Sequence, residues 1–389
     1  MVKLQILIRL TIGLIFSFFF CDVSAQQVIA DRPITIDKQL QHLGERLLKN
    51  KQGSIVAIEP STGRVLAMVS NDKLNDGINR AISTAYSPGS TFKVAQALEM
   101  LSEGTLEADK TYPCKKGFYF NKIHIGCHPH HAPLALIKAI GESCNSYFCK
   151  AFQEMIDNRK AYSSQFQAIN RWHDYMQSMG LGQPLGIDIP GEEGGVMPDS
   201  AFLKRTHRFW NGTTIMWVGM GQGEVKMTPL QICNLAAVIA NRGYYITPHI
   251  HEKENTSDLF LHRHISLVSP SAFDIVIEGM RHAVESGTAA SINSPNYEIC
   301  GKTGTAENTG DDHSIFMGFA PRHNSKIAVS VYIENGGFGA ELSAPLASLL
   351  IEQYINGKLS EYSEEKARKW EEKDVKISSV EVPVSLDDL

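Results

Sequence analysis

Strong charge of either sign is missing from this 389-residue chain. Its 37 Lys and Arg stand against 42 Asp and Glu, a formal net charge of -5 at a sequence pI near 6.3. No basic stripe runs along it, which argues against nucleic acid as a partner. No internal repeat stands out either. Past the first 25 residues, no segment is long and apolar enough to span a bilayer as a helix. Hydrophobic content of 43% and charged content of 20% are those of an ordinary globular protein, and the length allows one or two domains with a large core.

What is present begins with an export segment. Lys3 and Arg9 supply positive charge, Leu10 to Phe20 form a short apolar core, and Val23-Ser24-Ala25 offer small residues for cleavage before Gln26. Residues 1–25 therefore read as a signal peptide, with an uncleaved anchor open if the apolar run is counted from Leu4 across Arg9. Phe20 ahead of Cys21 is too bulky for a usual lipoprotein signal. The expected location is the periplasm or cell envelope, with a tether to the inner membrane if the segment is retained. One folded domain is expected over 26–357, and 358–389 read as a charged, disordered tail because no sustained apolar face runs through them.

Between these ends the periodicity changes in blocks. Leu40, Leu43, Leu47 and Leu48 predict an amphipathic helix within Ile36 to Asn50. Ser54 to Ile58 and Arg64 to Val69 predict a hairpin turned by Glu59-Pro60-Ser61-Thr62-Gly63. Leu101 to Arg242 reads mostly as helix and loop. It includes a Gly- and Pro-rich loop at Pro184 to Pro198, and a helix opened by Thr228-Pro229 and closed at Asn241-Arg242-Gly243. Strands follow at Cys300 to Ala306, Ser314 to Ala320 and Ile327 to Glu334, then a last apolar helix at Pro345 to Ile355. The expected fold is α+β: a mainly antiparallel five-stranded sheet packed by the terminal helices, with a large helical subdomain inserted.

Three clusters in this frame carry chemistry. Pro88-Gly89 break the chain before Ser90-Thr91-Phe92-Lys93 and an apolar run from Val94 to Leu101, so Ser90 should open a helix. Ser90 and Lys93 then share a face. A serine hydroxyl needs a base to become a nucleophile, and a desolvated lysine amine is one. Ser143-Cys144-Asn145 follows an apolar helix; its hydroxyl can relay a proton and its amide can bind a substrate amide. Lys302-Thr303-Gly304-Thr305 occurs once, on a predicted strand. Its glycine allows a close backbone approach, and a peptide can pair along such an edge. Each motif alone is short. Ser363-Glu364-Glu365-Lys366 matches the first in the charged tail, where no site can be built, and Ser291-Ile292-Asn293 and Ser294-Pro295-Asn296 match the second in a loop.

Their order and context carry more weight than any one match. The chain resembles the transpeptidase domain of class B penicillin-binding proteins, most closely those of the penicillin-binding protein 2 type in the elongation machinery. The resemblance covers about Ile36 to Gly357. It runs through Gly53-Ser54-Ile55-Val56-Ala57-Ile58, Asn79-Arg80-Ala81, Pro88 to Lys93, Gly219-Met220-Gly221-Gln222-Gly223, Thr228-Pro229-Leu230-Gln231, Gly301 to Ala306 and Gly318-Phe319-Ala320-Pro321. It implies a serine D,D-transpeptidase that cross-links peptidoglycan stem peptides through an acyl-enzyme on Ser90 and is inhibited covalently by β-lactams. Lys93 is the implied base, Ser143 the relay, Asn145 and Lys302 the remaining catalytic groups, and Thr303, Gly304 and Thr305 the substrate-binding edge. The Ser90 and Thr305 amides would form the oxyanion hole. A cell-wall elongation complex is the implied assembly, and the chemistry needs no cofactor. The same residues would serve a β-lactamase or a D,D-carboxypeptidase, and a non-enzymatic β-lactam sensor or wall scaffold is the reading outside catalysis.

Relatives usually carry an anchor and a long non-catalytic module ahead of this domain, whereas about ten residues separate the expected cleavage site from the first helix here. Six cysteines follow the export segment: Cys114, Cys127, Cys144, Cys149, Cys233 and Cys300. Cys233 and Cys300 read as core residues, and His313 as structural or substrate-adjacent. Around Cys127 lies Ile125-Gly126-Cys127-His128-Pro129-His130-His131, and sulfur with imidazole suits tetrahedral zinc. Some relatives of the penicillin-binding protein 2 type hold zinc in the corresponding loop. The set expected here is Cys114, Cys127, His131 and Cys144. A Cys114–Cys127 disulfide and free buried thiols stand as the alternatives.

Overall fold

Asp37 starts the first helix by accepting hydrogen bonds from the amides of Gln39 and Leu40, both at 2.9 Å. The computed structural model describes residues 33–120, 123–252, 262–308 and 310–377. The expected export segment lies outside them. Helix α1 (Lys38–Leu48) buries Leu40, Leu43, Leu47 and Leu48. Strands β1 (Gly53–Ile58) and β2 (Val65–Asn71) then pair antiparallel as expected.

A 3-10 turn, Gly89–Phe92, runs straight into α2 (Lys93–Ser102). The helical subdomain continues through a short hairpin, β3 (Gly117–Phe120) and β4 (Ile123–Gly126), then α3 (Leu136–Gly141), α4 (Asn145–Ile156), α5 (Gln165–Ser178), α6 (Ser200–Thr206) and α7 (Met216–Gly219). In α8 (Pro229–Ala240) Thr228 and Gln231 form a reciprocal capping box, and every residue of the helix is buried. A small ladder, β5 (Tyr244–Ile246) with β6 (Arg263–Ile265), precedes α9 (Pro270–Glu285). The chain then lays down β7 (Cys300–Ala306), β8 (His313–Ala320) and β9 (Ile327–Ile333), followed by α10 (Ser343–Asn356) and α11 (Glu361–Glu372).

The five long strands form one antiparallel sheet in the order β2-β1-β9-β8-β7. Helices cover both of its faces, so β1, β8 and β9 are buried along their whole length. Alternation divides each strand between two cores. Ile55 and Ala57 of β1 join Val329 and Val331 of β9 under α1 and α10, while Val56, Ile58 and Tyr332 join the core of the helical subdomain. Cys233 of α8 and Cys300 of β7 are both buried, as expected of core residues.

Three features depart from the sequence reading. The hairpin β3–β4 and helix α9 were not foreseen, although Ser269-Pro270 ahead of α9 is a helix start. The expectation of a disordered tail from residue 358 is corrected over 361–377. Helix α11, capped by Ser360, docks on α1 through Arg46, which pairs with Glu364 at 2.8 Å and Glu371 at 3.1 Å. Buried Ala367 and half-buried Trp370 form its narrow apolar stripe, and Val375 just beyond the helix is also buried. The Lys51 amine donates to the Trp370 carbonyl. The charges that suggested solvation are paired instead: with Arg46, and within the helix as Lys369–Glu365 at 2.9 Å. Residues 378–389 lie outside the described ones.

Beneath the active face, Gln96 and Glu99 of α2 are fully buried, and the Trp172 indole donates to Gln96 Oε1 at 2.8 Å. Neither carboxyl oxygen of Glu99 has a hydrogen-bond partner in the protein, and burial raises its pKa well above the usual carboxylate range. The folded chain therefore keeps a proton that the unfolded chain releases near 4.5, and stability falls as pH rises above that value. Glu99→Gln should raise the Tm at neutral pH and flatten its decline as pH rises above the unfolded value of 4.5. Melting curves with an unchanged slope would show that Glu99 does not carry this linkage.

Candidate active site

Gly89 brings the turn that carries Ser90 against the sheet edge. Its φ is +54°, and a Cβ there would meet the Thr305 carbonyl oxygen at 2.5 Å. The Gly89 amide donates to the Gly221 carbonyl at 2.9 Å, so the Gly219-to-Gly223 stretch supports the turn from behind. Gly304 of β7 meets the same turn from the other side, where a Cβ would lie 2.9 Å from Thr91 Cγ2. The close approach expected at Gly304 is thus made by the protein's own chain. Ser90 and Thr305 come to line one cleft of about 520 Å³.

Ser90 lies within the 3-10 turn and Lys93 opens α2, so the two side chains share a face as the spacing predicts. Lys93 Nζ is 2.9 Å from Ser90 Oγ and donates to the Ser143 carbonyl at 2.9 Å and to Asn145 Oδ1. Its side chain is 0% exposed, and burial lowers its pKa to about 8. Ser143 takes a positive φ of +55° between α3 and α4, which turns its hydroxyl toward both lysines. Ser143 Oγ is 3.4 Å from Lys93 Nζ and accepts from Lys302 Nζ at 2.8 Å. Lys302 is equally buried, and burial first, then the charge of Lys93, depresses its pKa. Asn145 opens α4 and donates through Nδ2 to the Gly126 carbonyl at 2.6 Å, which ties β4 to the site.

All eight expected catalytic and substrate-edge residues gather around this cleft. Ser90, Ser143, Asn145, Thr303, Gly304 and Thr305 line it, while Lys93 and Lys302 sit beneath Ser143. Residues not foreseen complete the walls. Thr288, just beyond α9, shares a 2.9 Å hydroxyl hydrogen bond with Thr303. His128 and Phe338 meet edge to face at 5.7 Å across the rim, and Trp217 forms another part of the wall. No short motif marks these as cleft residues, because they arrive from separate loops and from the short helix α7. His313 is structural: its Nδ1 accepts from the Asn335 amide at 3.0 Å, and its ring lies against Tyr86 and Tyr332.

A second cluster abuts the first. The ligand atoms of Cys114, Cys127, His130 and Cys144 all lie within 4.8 Å of one another, with the Cys127 and Cys144 sulfurs 4.0 Å apart. The histidine is His130, which corrects the expected His131, whose ring is exposed. His130 Nδ1 lies 3.0 Å from the His131 carbonyl, and its Nε2 is buried without a hydrogen-bond partner in the protein. A backbone acceptor on one ring nitrogen leaves the other free to ligate. All six described cysteines are free thiols, Cys114 and Cys127 included. Cys144 also caps α4, its sulfur accepting from the Tyr147 amide at 3.4 Å.

Comparison with known proteins converges on one family. Residues 53–352 match the penicillin binding protein transpeptidase domain. The peptidoglycan D,D-transpeptidase MrdA of Acinetobacter baumannii is 29% identical over 369 residues, covering 81% of this chain and 53% of that protein. The chain spans about half of the length of such curated relatives. Among solved structures, Pseudomonas aeruginosa PBP2 in complex with WCK 5153 aligns with a TM-score of 0.74 and 30% identity, over 85% of this chain and 78% of that one. PBP2 from Helicobacter pylori, in its complex with MreC, aligns with a TM-score of 0.72 and 25% identity, over 84% and 64%.

Proposed function

Because the chain belongs to the penicillin binding protein transpeptidase family, we propose that it is a serine D,D-transpeptidase of the envelope, joining peptidoglycan stem peptides. One observation carries the reading: the buried Lys93 amine lies 2.9 Å from Ser90 Oγ in a cleft edged by Thr303, Gly304 and Thr305. Desolvation favours the neutral amine, the form able to take the serine proton.

The donor stem peptide pairs along β7, its terminal carboxylate held by the Thr303 and Thr305 hydroxyls. Ser90 Oγ attacks the penultimate D-alanyl carbonyl as Lys93 Nζ accepts its proton. The oxyanion sits between the Ser90 and Thr305 amides, and losing one such donor typically costs about a hundredfold or more in rate. The proton passes by way of Ser143, which Lys302 steadies at 2.8 Å, to the departing D-alanine nitrogen. The acyl-enzyme then yields its acyl group to an amine of a neighbouring stem, forming the cross-link and freeing Ser90. A β-lactam enters the same first step, but its opened ring keeps the leaving nitrogen attached.

The wider setting belongs to the same proposal. The first 25 residues direct export, with the chain acting at the cell envelope. Among the described residues no helix is long and apolar enough to cross a membrane. The Helicobacter pylori neighbour is seen with MreC, and a comparable elongation assembly is the partner we propose here. A structural zinc ion would be held by Cys114, Cys127, Cys144 and His130. Three sulfurs and an imidazole nitrogen with no other partner match its tetrahedral preference. When bound it ties the loop carrying Cys127 to the start of α4, beside Ser143 and Asn145; it takes no part in the acyl transfer.

Incubation with labelled penicillin should give one adduct per chain lasting hours, absent in Ser90→Ala. The wild-type chain should also cross-link a pentapeptide-bearing glycan. Release of the label within seconds would replace this reading with a β-lactamase, and an adduct in Ser90→Ala would remove the nucleophile. Protein purified without a His-tag should carry about one zinc per chain. A content below about a tenth of that would end the zinc assignment without touching the acylation chemistry.

A further inference from the structure

Away from the cleft, two segments concentrate positive charge on a chain that is acidic overall. Residues 158–171 and 200–211 contain Arg159, Lys160, Arg171, Lys204, Arg205 and Arg208 and no Asp or Glu. Asp157 and Asp199 border them, accepting from the Gly212 and Phe202 amides, and Glu224 pairs with His207. The two segments lie together. The Ser200 amide donates to Asn170 Oδ1 at 2.9 Å, and Leu203 of α6 is fully buried beneath. Phe166 of α5 meets Trp210 edge to face at 5.4 Å. Arg171 is engaged by Glu103 at 2.9 Å, and Arg159 donates to the Ile156 carbonyl at 3.3 Å with a distant pairing to Asp157 at 4.0 Å. Arg159, Lys160, Lys204, Arg205 and Arg208 are exposed.

An apolar side chain projects from the middle of these charges. Phe209 is 82% exposed, and Phe166, whose ring meets that of the neighbouring Trp210, is 49% exposed. The Arg208 guanidinium lies over the Phe209 ring at 5.6 Å, and Arg205 over Phe202 at 5.8 Å. Cations that flank a projecting aromatic ring, with a half-buried indole behind it, match a surface that is negative on its outside and apolar just below. A protein partner would have to offer a pocket for Phe209 inside an acidic rim; a bilayer accepts a projecting ring anywhere. We propose that this face, built from Phe166, Lys204, Arg205, Arg208, Phe209 and Trp210, rests on the surface of an anionic phospholipid bilayer.

The contact would also orient the active cleft. The chain passes from Trp210 to α7, whose Trp217 forms part of the cleft wall. A bilayer beneath the patch would set the direction from which stem peptides arrive. The proposal stands apart from the acyl-transfer reading, since none of its residues lines the cleft or touches Ser90, Lys93 or Lys302.

The test is hydrogen exchange on the full chain, read over 200–211 with vesicles of phosphatidylcholine alone or mixed with phosphatidylglycerol. This segment should gain protection only on the anionic vesicles and lose it in high salt. Phe209→Ser, and separately Lys204→Glu with Arg208→Glu, should cut the protected fraction roughly tenfold or more while penicillin uptake stays normal. Equal exchange on both vesicle types would overturn the proposal. So would protection that soluble polyglutamate reproduces, which would assign the patch to an acidic protein instead.

Discussion

The site depends on an amine held out of water. Lys93 is enclosed by α2 behind it, Phe148 at 5.7 Å beneath, and the Ser143–Asn145 turn in front. Its acceptors are the Ser143 carbonyl, the Asn145 amide oxygen and the hydroxyl it is to activate. None is a carboxylate, so these neutral acceptors offset only part of the cost of burying a charged ammonium. Lys302 faces the same Ser143 hydroxyl from β7 under the same burial. Two desolvated amines around one oxygen both release their protons more readily than ordinary lysines, and the neutral form of either can accept one.

That arrangement requires two parts of the fold to meet at close range. Ser90, Lys93, Ser143 and Asn145 belong to the helical subdomain, whereas Lys302 and the threonines belong to the sheet edge. Glycines make the join: Gly89 against the Thr305 carbonyl, Gly304 against Thr91, and Gly339 with a built Cβ only 2.4 Å from the Gly304 carbonyl. Side chains at these positions would part the two halves of the cleft. The cysteine and histidine cluster abuts the same join from the helical side, since Cys144 lies between Ser143 and Asn145.

Much of this was legible in the chain because local signals agreed with the global fold. The Asp37 cap, the capping box at Thr228 and Gln231, and the alternation of β1 and β9 are written within a few residues. The three motifs likewise declare themselves through a helix start, a turn and a strand. What was missed depends on distant partners. Helix α11 looks solvated until Arg46 and Lys51 supply its contacts, and no pattern within 358–389 announces them. Thr288 and Phe338 reach the cleft from two separate loops and Trp217 from the short helix α7, so no spacing links them. His130 displaced His131 for a conformational reason: two adjacent histidines are equal in sequence, and only the backbone decides which ring turns inward.

The account rests on Lys93 losing its proton far more readily than an ordinary lysine. The most direct measurement is the acylation rate of the full chain with a β-lactam across pH, with the Lys93 side chain titrated in parallel by NMR. Since the neutral amine is the active form, the rate should rise with pH and level off through an inflection near 8, matched by the lysine signal. A Lys93 that titrates near the ordinary 10.5, or a rate that ignores its protonation, would contradict the central claim.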